Sequence, residues 1–189
     1  AEHAATQELL EKSLESFSFN VTLTASGEAA LAEFSRQLAE DVRTDGVGGI
    51  TAGVVVGRDA RHGSVEFARE TAETMAGAGL PVHMFETEVP TPLCAFAVTA
   101  LGAAAGVMVT ASHNPKDYNG IKLVREESRP ISSDTGLKEI ERRILEDDLG
   151  EAPGGGSVRR ANVDDAYVKH LLSYVDRGSL KPLKVVVNA

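Results

Sequence analysis

Ser112, His113 and Asn114 follow one another along the chain, and Lys122 comes ten residues after the serine. A serine hydroxyl is a weak nucleophile until a base or a phosphoryl donor lies beside it. No G-x-S-x-G pattern surrounds Ser112, which argues against an esterase nucleophile. A phosphoserine would carry about −1.5 to −2 charges and three acceptor oxygens, to which a lysine, an imidazole and an amide can donate. These residue types favour phosphoryl chemistry; the alternative is a polar loop whose Asn and Ser satisfy turn amides.

The flanking sequence predicts how these side chains are held. Residues 107–111 follow a run of small residues and are mostly apolar, which predicts a short buried strand that ends at the serine. Pro115 prevents regular structure from continuing, because it fixes φ and has no N–H. The Asn-Gly pair at 119–120 tolerates positive φ and predicts a tight turn, after which residues 121–124 return as a strand. The hydroxyl, the imidazole and the carboxamide are therefore expected at a strand end, with the lysine brought back beside them.

Upstream of this segment, strand and helix patterns alternate. Apolar runs predict strands at 54–56 and 82–85, and Ser64 is expected to cap the helix between them. The inward side chains of that helix are expected to be Val65, Ala68, Ala72 and Met75. A Pro-Thr-Pro triplet starts a second helix over residues 90–101. This β-α-β-α-β order predicts a three-layer α/β/α domain with a mostly parallel mixed sheet.

Charged residues follow the first of these strands, at the end where α/β proteins place ligands. They are Arg58, Asp59 and Arg61. One interpretation is that the two arginines bind a phosphate or another part of a substrate. The alternative is a local Asp–Arg pair that braces the loop.

Longer motifs surround these residues. Thr-Ala-Ser-His-Asn-Pro at 110–115, followed by Asp-Tyr-Asn-Gly-Ile-Lys at 117–122, closely resembles the active-site segment of the α-D-phosphohexomutases. These enzymes are the phosphomannomutases, phosphoglucomutases and phosphoglucosamine mutases. Gly-Arg-Asp-Ala-Arg at 57–61 and Pro-Thr-Pro at 90–92 look like other first-domain signatures of the family. Residues 122–137 look more like bacterial phosphomannomutases, whereas residues 57–111 look nearer to another subgroup of the mutases, so the substrate is expected to be a mannose or glucose phosphate.

The resemblance implies a role for each matching residue. Ser112 would be the phosphoserine that gives its phosphate to one end of a hexose phosphate and takes back the phosphate from the other end. His113 and Asn114 would position phosphate oxygens, and Lys122 would act as an acid/base group or a phosphate clamp. The resemblance also implies Mg²⁺, which the phosphate on Ser112 would bind, and a hexose 1,6-bisphosphate as activator.

The first 50 residues depart from the family pattern. Helical spacing covers residues 1–16, alternation at 17–24 predicts a strand, and a helix is expected at about 28–42. A mutase would carry a Gly-Thr-x-Gly-x-Arg loop near the first strand, and the sequence has no match to it. We therefore assign residues 1–150 to a phosphoserine-bearing first domain whose opening segment is atypical.

The last part of the chain is expected to differ from this domain. We assign residues 151–189 to a truncated second domain, formed by a linker, a helix at about 164–175 and a first strand at 183–189. His170 on that helix is expected to pack rather than to bind a ligand. The family's Asp-Gly-Asp-x-Asp-Arg loop, which holds Mg²⁺, and its sugar-recognition loops are absent from the sequence.

These absences limit the predicted function. We expect a phosphohexomutase domain that is incomplete and weakly active alone, and whose partners are hexose phosphates and the missing C-terminal domains in trans. Whether the chain by itself is an enzyme stays open. The alternative is a non-enzymatic module that keeps the fold and binds a sugar phosphate or another protein.

Composition excludes several other classes. The 189 residues carry a net charge of −9 and no basic stretch, which argues against nucleic-acid and anionic-membrane partners. No apolar run approaches the ~20 residues of a membrane span. The single cysteine, Cys94, excludes an intrachain disulfide and argues against a cysteine-based metal site. We expect a cytoplasmic protein.

Overall fold

The computed structural model describes the backbone of residues 19–22 and the whole of residues 52–138, 142, 146 and 154–188. Six strands lie in this part of the chain: β1 (Phe19–Thr22), β2 (Val54–Arg58), β3 (Pro81–Met84), β4 (Ala105–Val109), β5 (Tyr118–Arg125) and β6 (Ser157–Arg160). Its α-helices are α1 (Ser64–Gly77), α2 (Thr91–Ala100) and α3 (Asp164–Ser173). Short 3₁₀ turns cover Glu126–Ser128 and Arg177–Ser179, and a π-helical turn covers Ser133–Leu137.

The strands form one mixed sheet in the order β1-β5-β4-β2-β3-β6. Strands β4, β2, β3 and β6 are parallel neighbours, whereas β5 pairs antiparallel with both β4 and β1. Long crossovers through α1 and α2 join the parallel strands, as parallel pairing requires. β5 follows β4 after a short loop, so an antiparallel pair is the only arrangement open to it.

Alternate residues of the central strands enter two separate cores, one on each face of the sheet. Val54 and Val56 of β2 lie on the face of the sheet that α1 covers. They share a core with four residues of that helix, Phe67, Ala68, Ala72 and Met75. Val55 lies in the other core, which α2 covers with Leu93, Cys94, Ala97 and Val98 and to which α3 adds Tyr167. Helices therefore cover both faces, and the predicted three-layer α/β/α fold with a mostly parallel mixed sheet is confirmed.

The set of buried residues on helix α1 differs from the predicted set. Val65 was expected to point inward, but 49% of it is exposed, whereas Ser64, Phe67 and Thr71 are buried. Ser64 lies one helical turn before Ala68 and shares its face. Its hydroxyl is drawn inward by polar partners, which a purely apolar pattern could not indicate.

The turn after the serine loop also differs from the prediction. Residues 119 and 120 lie inside β5, opposite Val21 and Asn20 of β1. The chain reverses earlier, where the Tyr118 N–H donates to the Pro115 carbonyl over 3.0 Å. The Asn-Gly prediction was wrong because the Asn119 side chain donates to Ser64 at the start of α1 and to the His62 carbonyl just before it.

The structure adds a strand that the sequence did not predict. β6 extends the sheet beside β3, directly after the Gly-rich segment. A Cβ on Gly156 would lie 2.4 Å from the carbonyl oxygens of Ala76 and Leu80, so only glycine allows this close approach. All four residues of β6 are exposed, which leaves no hydrophobic alternation to detect. The proposed domain boundary at residue 150 stays a prediction.

Other predictions concern the two ends of the chain. β1 lies within the strand predicted at 17–24, whereas the helices predicted at 1–16 and 28–42 fall outside the described residues. The strand predicted at 183–189 was wrong for 183–188, which have no regular structure. A strand needs a neighbour to pair with, and none lies beside this segment in the part of the chain that is described. In the same part, no helix is long and apolar enough to cross a membrane.

Candidate active site

The predicted site residues meet at one edge of the sheet. Strands β2 and β4 are parallel neighbours and end together there, at Arg58 and Val109. The Asp59 N–H donates to the Val109 carbonyl over 3.1 Å and ties the two strand ends to each other. Residues 58–61 and 110–115, far apart in sequence, are therefore adjacent in space.

Ser112 lies in the loop that follows β4 at this edge of the sheet, and its backbone conformation is uncommon. Its φ is 56°, in the left-handed region that residues other than glycine seldom adopt. Its N–H donates to the hydroxyl of the buried Thr110 over 3.0 Å, and the Asn114 N–H closes the turn onto the Ala111 carbonyl over 3.0 Å. The Ser112 side chain is exposed, so its hydroxyl is accessible to a ligand.

Two of the predicted partners reach this hydroxyl. Lys122, half-buried on β5, donates from Nζ to Ser112 Oγ over 3.4 Å. His113 Nδ1 lies 3.1 Å from the same oxygen and accepts its hydrogen in the tautomer that leaves Nδ1 unprotonated. The serine oxygen thus has a cation on one side and a proton acceptor on the other. The expected roles of Asn114 in phosphate binding and of Lys122 and His113 in catalysis stay predictions.

Arg61 is directed at the loop rather than at open solvent. Its Nη2 donates to the Ser112 carbonyl over 2.7 Å, and its Nη1 donates to the Pro115 and Tyr118 carbonyls over 2.5 and 3.4 Å. Its Nε donates to Asp59 Oδ2 over 3.1 Å. Of the two interpretations left open by the sequence, this geometry favours bracing.

The guanidinium of Arg58, like that of Arg61, binds other groups of the protein. It is 7% exposed, and it donates from Nη1 to Glu88 Oε1 over 2.9 Å and from Nη2 to the Glu86 carbonyl over 3.1 Å. The hydrogen bond from Arg58 holds the pKa of the Glu88 carboxyl below its ordinary value of 4.5. Arg58 therefore ties the end of β2 to the loop that leads into α2, and its predicted phosphate contact stays a prediction.

Beneath the loop lies a polar network that sequence reasoning missed. Asn119 is fully buried and donates from Nδ2 to Ser64 Oγ over 2.9 Å and to the His62 carbonyl over 3.2 Å. The Ser64 hydroxyl donates to Asp59 Oδ1 over 2.8 Å. An asparagine followed by a glycine is typical of a turn, so the residue types at 119–120 predicted an exposed turn and did not indicate that Asn119 is buried. The alternation of β5 could have suggested it, because Asn119, Ile121 and Leu123 share one face.

The described residues do not form a metal site. They contain no group of three or more His, Cys, Asp or Glu side chains that could hold an ion. Asp59, the carboxylate linked to the Ser112 loop through Arg61, is engaged by Arg61 and Ser64. Burial raises the pKa of the Cys94 thiol to about 12, which keeps this side chain protonated at neutral pH. The Mg²⁺ that the resemblance implies therefore has no carboxylate cage among these residues, and its expected bond to a phosphate on Ser112 stays a prediction.

His170 lies away from this edge and packs among aromatic rings. Its ring centroid is 5.0 Å from those of Phe96 and Tyr174. Its Nε2 is 3.2 Å from the Tyr174 hydroxyl. This is the packing role expected of it from the sequence.

Known proteins are similar to this chain in sequence and in fold. Residues 20–151 match the family described as "Phosphoglucomutase/phosphomannomutase, alpha/beta/alpha domain I". The chain is 45% identical over 141 residues to phosphohexose mutases of Xanthomonas campestris pv. campestris, and 43% identical over 144 residues to a phosphomannomutase of Salmonella montevideo. Each alignment covers 72% of this chain and 30% of the relative. The chain thus spans about a third of the length of these relatives.

Solved structures give the same result. A phosphoglucomutase/phosphomannomutase family protein of Burkholderia thailandensis superposes with a TM-score of 0.70 at 28% identity, over 83% of this chain and 34% of that one. A structure from Thermus thermophilus superposes with a TM-score of 0.69 at 31% identity, over 84% of this chain and 35% of that one.

Proposed function

Because the chain belongs to the phosphoglucomutase/phosphomannomutase family, we propose that it is the phosphoryl-carrying domain of a hexose-phosphate mutase, with Ser112 as the carrier. The substrate would be a hexose 6-phosphate or hexose 1-phosphate of mannose or glucose. The observation that carries the proposal is the placement of Ser112 Oγ, exposed at a strand end between Lys122 Nζ and His113 Nδ1.

The proposed reaction moves one phosphoryl group at a time. When a hexose 1,6-bisphosphate meets the free serine, a bond forms between Ser112 Oγ and one phosphorus, and the bond from that phosphorus to the sugar oxygen breaks. The serine proton passes to His113, and the leaving sugar oxygen takes up a proton from the solvent. In the opposite direction, the free hydroxyl of a hexose monophosphate bonds to the phosphorus on Ser112 and releases its proton to the solvent, the bond from Oγ to phosphorus breaks, and His113 returns its proton to Oγ. Both steps conserve every atom, and neither needs an oxidant or a reductant.

The surrounding groups suit this chemistry. Phosphoryl transfer depends mostly on positioning and on the neutralisation of charge. Lys122 brings its positive charge to the oxygen that bears the phosphate, and charge-assisted hydrogen bonds are roughly twice as strong as neutral ones. The imidazole of His113, whose Nδ1 lies 3.1 Å from Ser112 Oγ, can accept and return the serine proton. A local cation is also needed to attract an anionic sugar, since the net charge of the chain is −9.

A divalent cation would neutralise more of the charge on the transferring phosphoryl group. The described residues contain no group of three or more His, Cys, Asp or Glu side chains to hold one, and the chain spans about 30% of its relatives. We therefore propose that full turnover needs groups that lie outside residues 1–189, and that these residues alone are at most weakly active. The proposed compartment remains the cytoplasm.

A mutase assay with added C-terminal domains of a full-length relative tests this function. We expect slow or absent interconversion by the chain alone, and glucose- or mannose-phosphate interconversion by the mixture. Replacing Ser112 with Ala should remove the activity of the mixture, whereas Ser157→Ala, on the exposed strand β6, should leave it unchanged.

The second candidate function is a module that binds a sugar phosphate without turnover. Saturable binding of hexose phosphate, together with an inert mixture, would favour it. Fast interconversion by residues 1–189 alone would contradict the proposal that they need groups from outside this segment.

A further inference from the structure

One arginine fixes the backbone of the whole Ser112 turn. The carbonyls of Ser112, Pro115 and Tyr118 all accept hydrogen bonds from Arg61, over 2.7, 2.5 and 3.4 Å. Only 14% of the Arg61 side chain is exposed, although the three bonds themselves lie at the surface. A planar guanidinium can serve several acceptors at once in a fixed geometry, which a lysine cannot do.

Asp59 in turn fixes the arginine. Its Oδ2 accepts from Arg61 Nε over 3.1 Å, and its Oδ1 accepts from the Arg61 N–H over 3.1 Å and from the Ser64 hydroxyl over 2.8 Å. The Asp59 N–H is itself bonded to the Val109 carbonyl at the end of β4. The carboxylate is thus anchored to the sheet and to the start of α1, and the position of the guanidinium follows from these anchors.

The conformation of Ser112 requires such an anchor. A left-handed backbone at a residue other than glycine persists only where the surrounding structure over-determines it. Two local bonds, from the Ser112 and Asn114 N–H groups, hold one side of the turn. The three bonds from Arg61 hold the carbonyl side, and with φ at 56° the hydroxyl faces Lys122 and His113.

We infer that Asp59 and Arg61 are positioning residues for phosphoryl transfer, acting through the backbone of the Ser112 turn and not by contact with the sugar phosphate. The inference rests on the proposed function of Ser112 as the phosphoryl carrier. Arg61 should affect the kinetics differently if it braces the turn than if it contacts the substrate. A residue that contacts the substrate sets the concentration needed for saturation, whereas a residue that aligns the nucleophile sets the maximal rate.

The test measures the rate of phosphate incorporation at Ser112 against the concentration of glucose 1,6-bisphosphate, with Mg²⁺ in the buffer. A misplacement of about 1 Å in a reacting group costs roughly 100-fold in rate, so Arg61→Ala should lower the maximal rate by about that factor. The half-saturating concentration should change little. Arg61→Lys and Asp59→Asn should lose less, because each keeps part of the hydrogen bonding. Arg69→Ala is the matched control, since Arg69 is exposed on α1 and its side chain pairs with Glu73.

An independent readout separates this inference from the proposed function. Amide hydrogen exchange should accelerate at 111–118 in Arg61→Ala and stay unchanged in Arg69→Ala, with β2 and α1 protected in both. If Arg61→Ala fails to fold, Arg61→Lys and Asp59→Asn carry the same comparison. Wild-type protein that takes up no phosphate would refute the function, and the exchange rates would still decide the role of Arg61. A wild-type maximal rate, a change in half-saturation alone, or unchanged exchange at 111–118 would overturn the inference.

Discussion

The two ends of β5 carry the same backbone conformation in very different surroundings. Before its start, Ser112 has a φ of 56°; after its end, Glu127 and Ser128 have φ values of 57° and 60°. The Ser112 turn is held by Arg61, which comes from a segment about 50 residues away in sequence. The distal turn has bonds among its own residues, including an ion pair between Arg129 and Glu126, and a bond from Ser128 to the Ala95 carbonyl of α2.

The side chains at the two ends differ as well. The Ser128 hydroxyl forms hydrogen bonds with the Ala95 carbonyl and with Thr99. The Ser112 hydroxyl, by contrast, is exposed between a lysine and a histidine. A strained serine is therefore no sign of function by itself. What distinguishes Ser112 is an exposed oxygen beside Lys122 and His113, whereas the Ser128 oxygen is bonded to residues of α2.

The buried amide under the Ser112 turn should have the largest effect on stability. Asn119→Ala would remove the donor to the Ser64 hydroxyl and to the His62 carbonyl, and the acceptor of the Gly120 N–H. Leaving buried polar groups unpaired costs about 1–3 kcal/mol, and the free energy of unfolding should fall by that amount. Urea denaturation measures it, with Asn162→Ala on the surface as the control. A loss no greater than that of the control would mean that the network does not support the turn.

Glycine substitutions at the two ends sharpen the comparison further. Glu127→Gly and Ser112→Gly both relieve a left-handed residue, and each should raise the free energy of unfolding by up to about 1 kcal/mol. Only Ser112→Gly should abolish phosphate uptake from glucose 1,6-bisphosphate. Thermal unfolding and phosphate labelling of the same two variants provide the test. Loss of labelling in Glu127→Gly would contradict the separation of the two ends.

The smallest expected effect is a pH dependence at the base of the Ser112 edge. Arg58 lowers the pKa of Glu88 in the folded protein. A lowered carboxyl pKa gives a contribution to stability that is complete above the ordinary pKa and is lost as the pH falls through the folded-state value. An NMR titration of Glu88 should therefore show a midpoint below 4.5, which Arg58→Met should move upward. A midpoint at or above the ordinary value in the wild-type protein would show that the Arg58 brace does not form in solution.

Much of the fold was predictable because it depends on local patterns. The buried runs of β2 and β4, the helix that follows a Pro-Thr-Pro triplet and the strand-end position of Ser112 all follow from apolar periodicity and from chain breakers. The proximity of Lys122 to the serine was also predictable, since it needs only an antiparallel return.

The missed features depend on partners that are distant in sequence. Asn119 is a turn residue by its type, and only its bonds to Ser64 and His62 make it a buried one. β6 exists because a glycine lets the chain pass close to α1 and pair with β3, and its exposed residues carry no hydrophobic pattern. Whether Arg61 contacts a ligand or braces a loop depends on where three backbone carbonyls lie, which no local pattern contains.

The central claim is that Ser112 carries phosphate, and mapping the modified residue tests it most directly. The chain would be incubated with glucose 1,6-bisphosphate and Mg²⁺, digested, and its peptides sequenced by mass spectrometry. We predict one phosphoryl group on Ser112, absent from Ser112→Ala and reduced in Lys122→Ala, which loses the cation at the oxygen. Phosphate on a different residue with Ser112 unmodified, or no phosphate at all on the wild-type chain, would contradict the account.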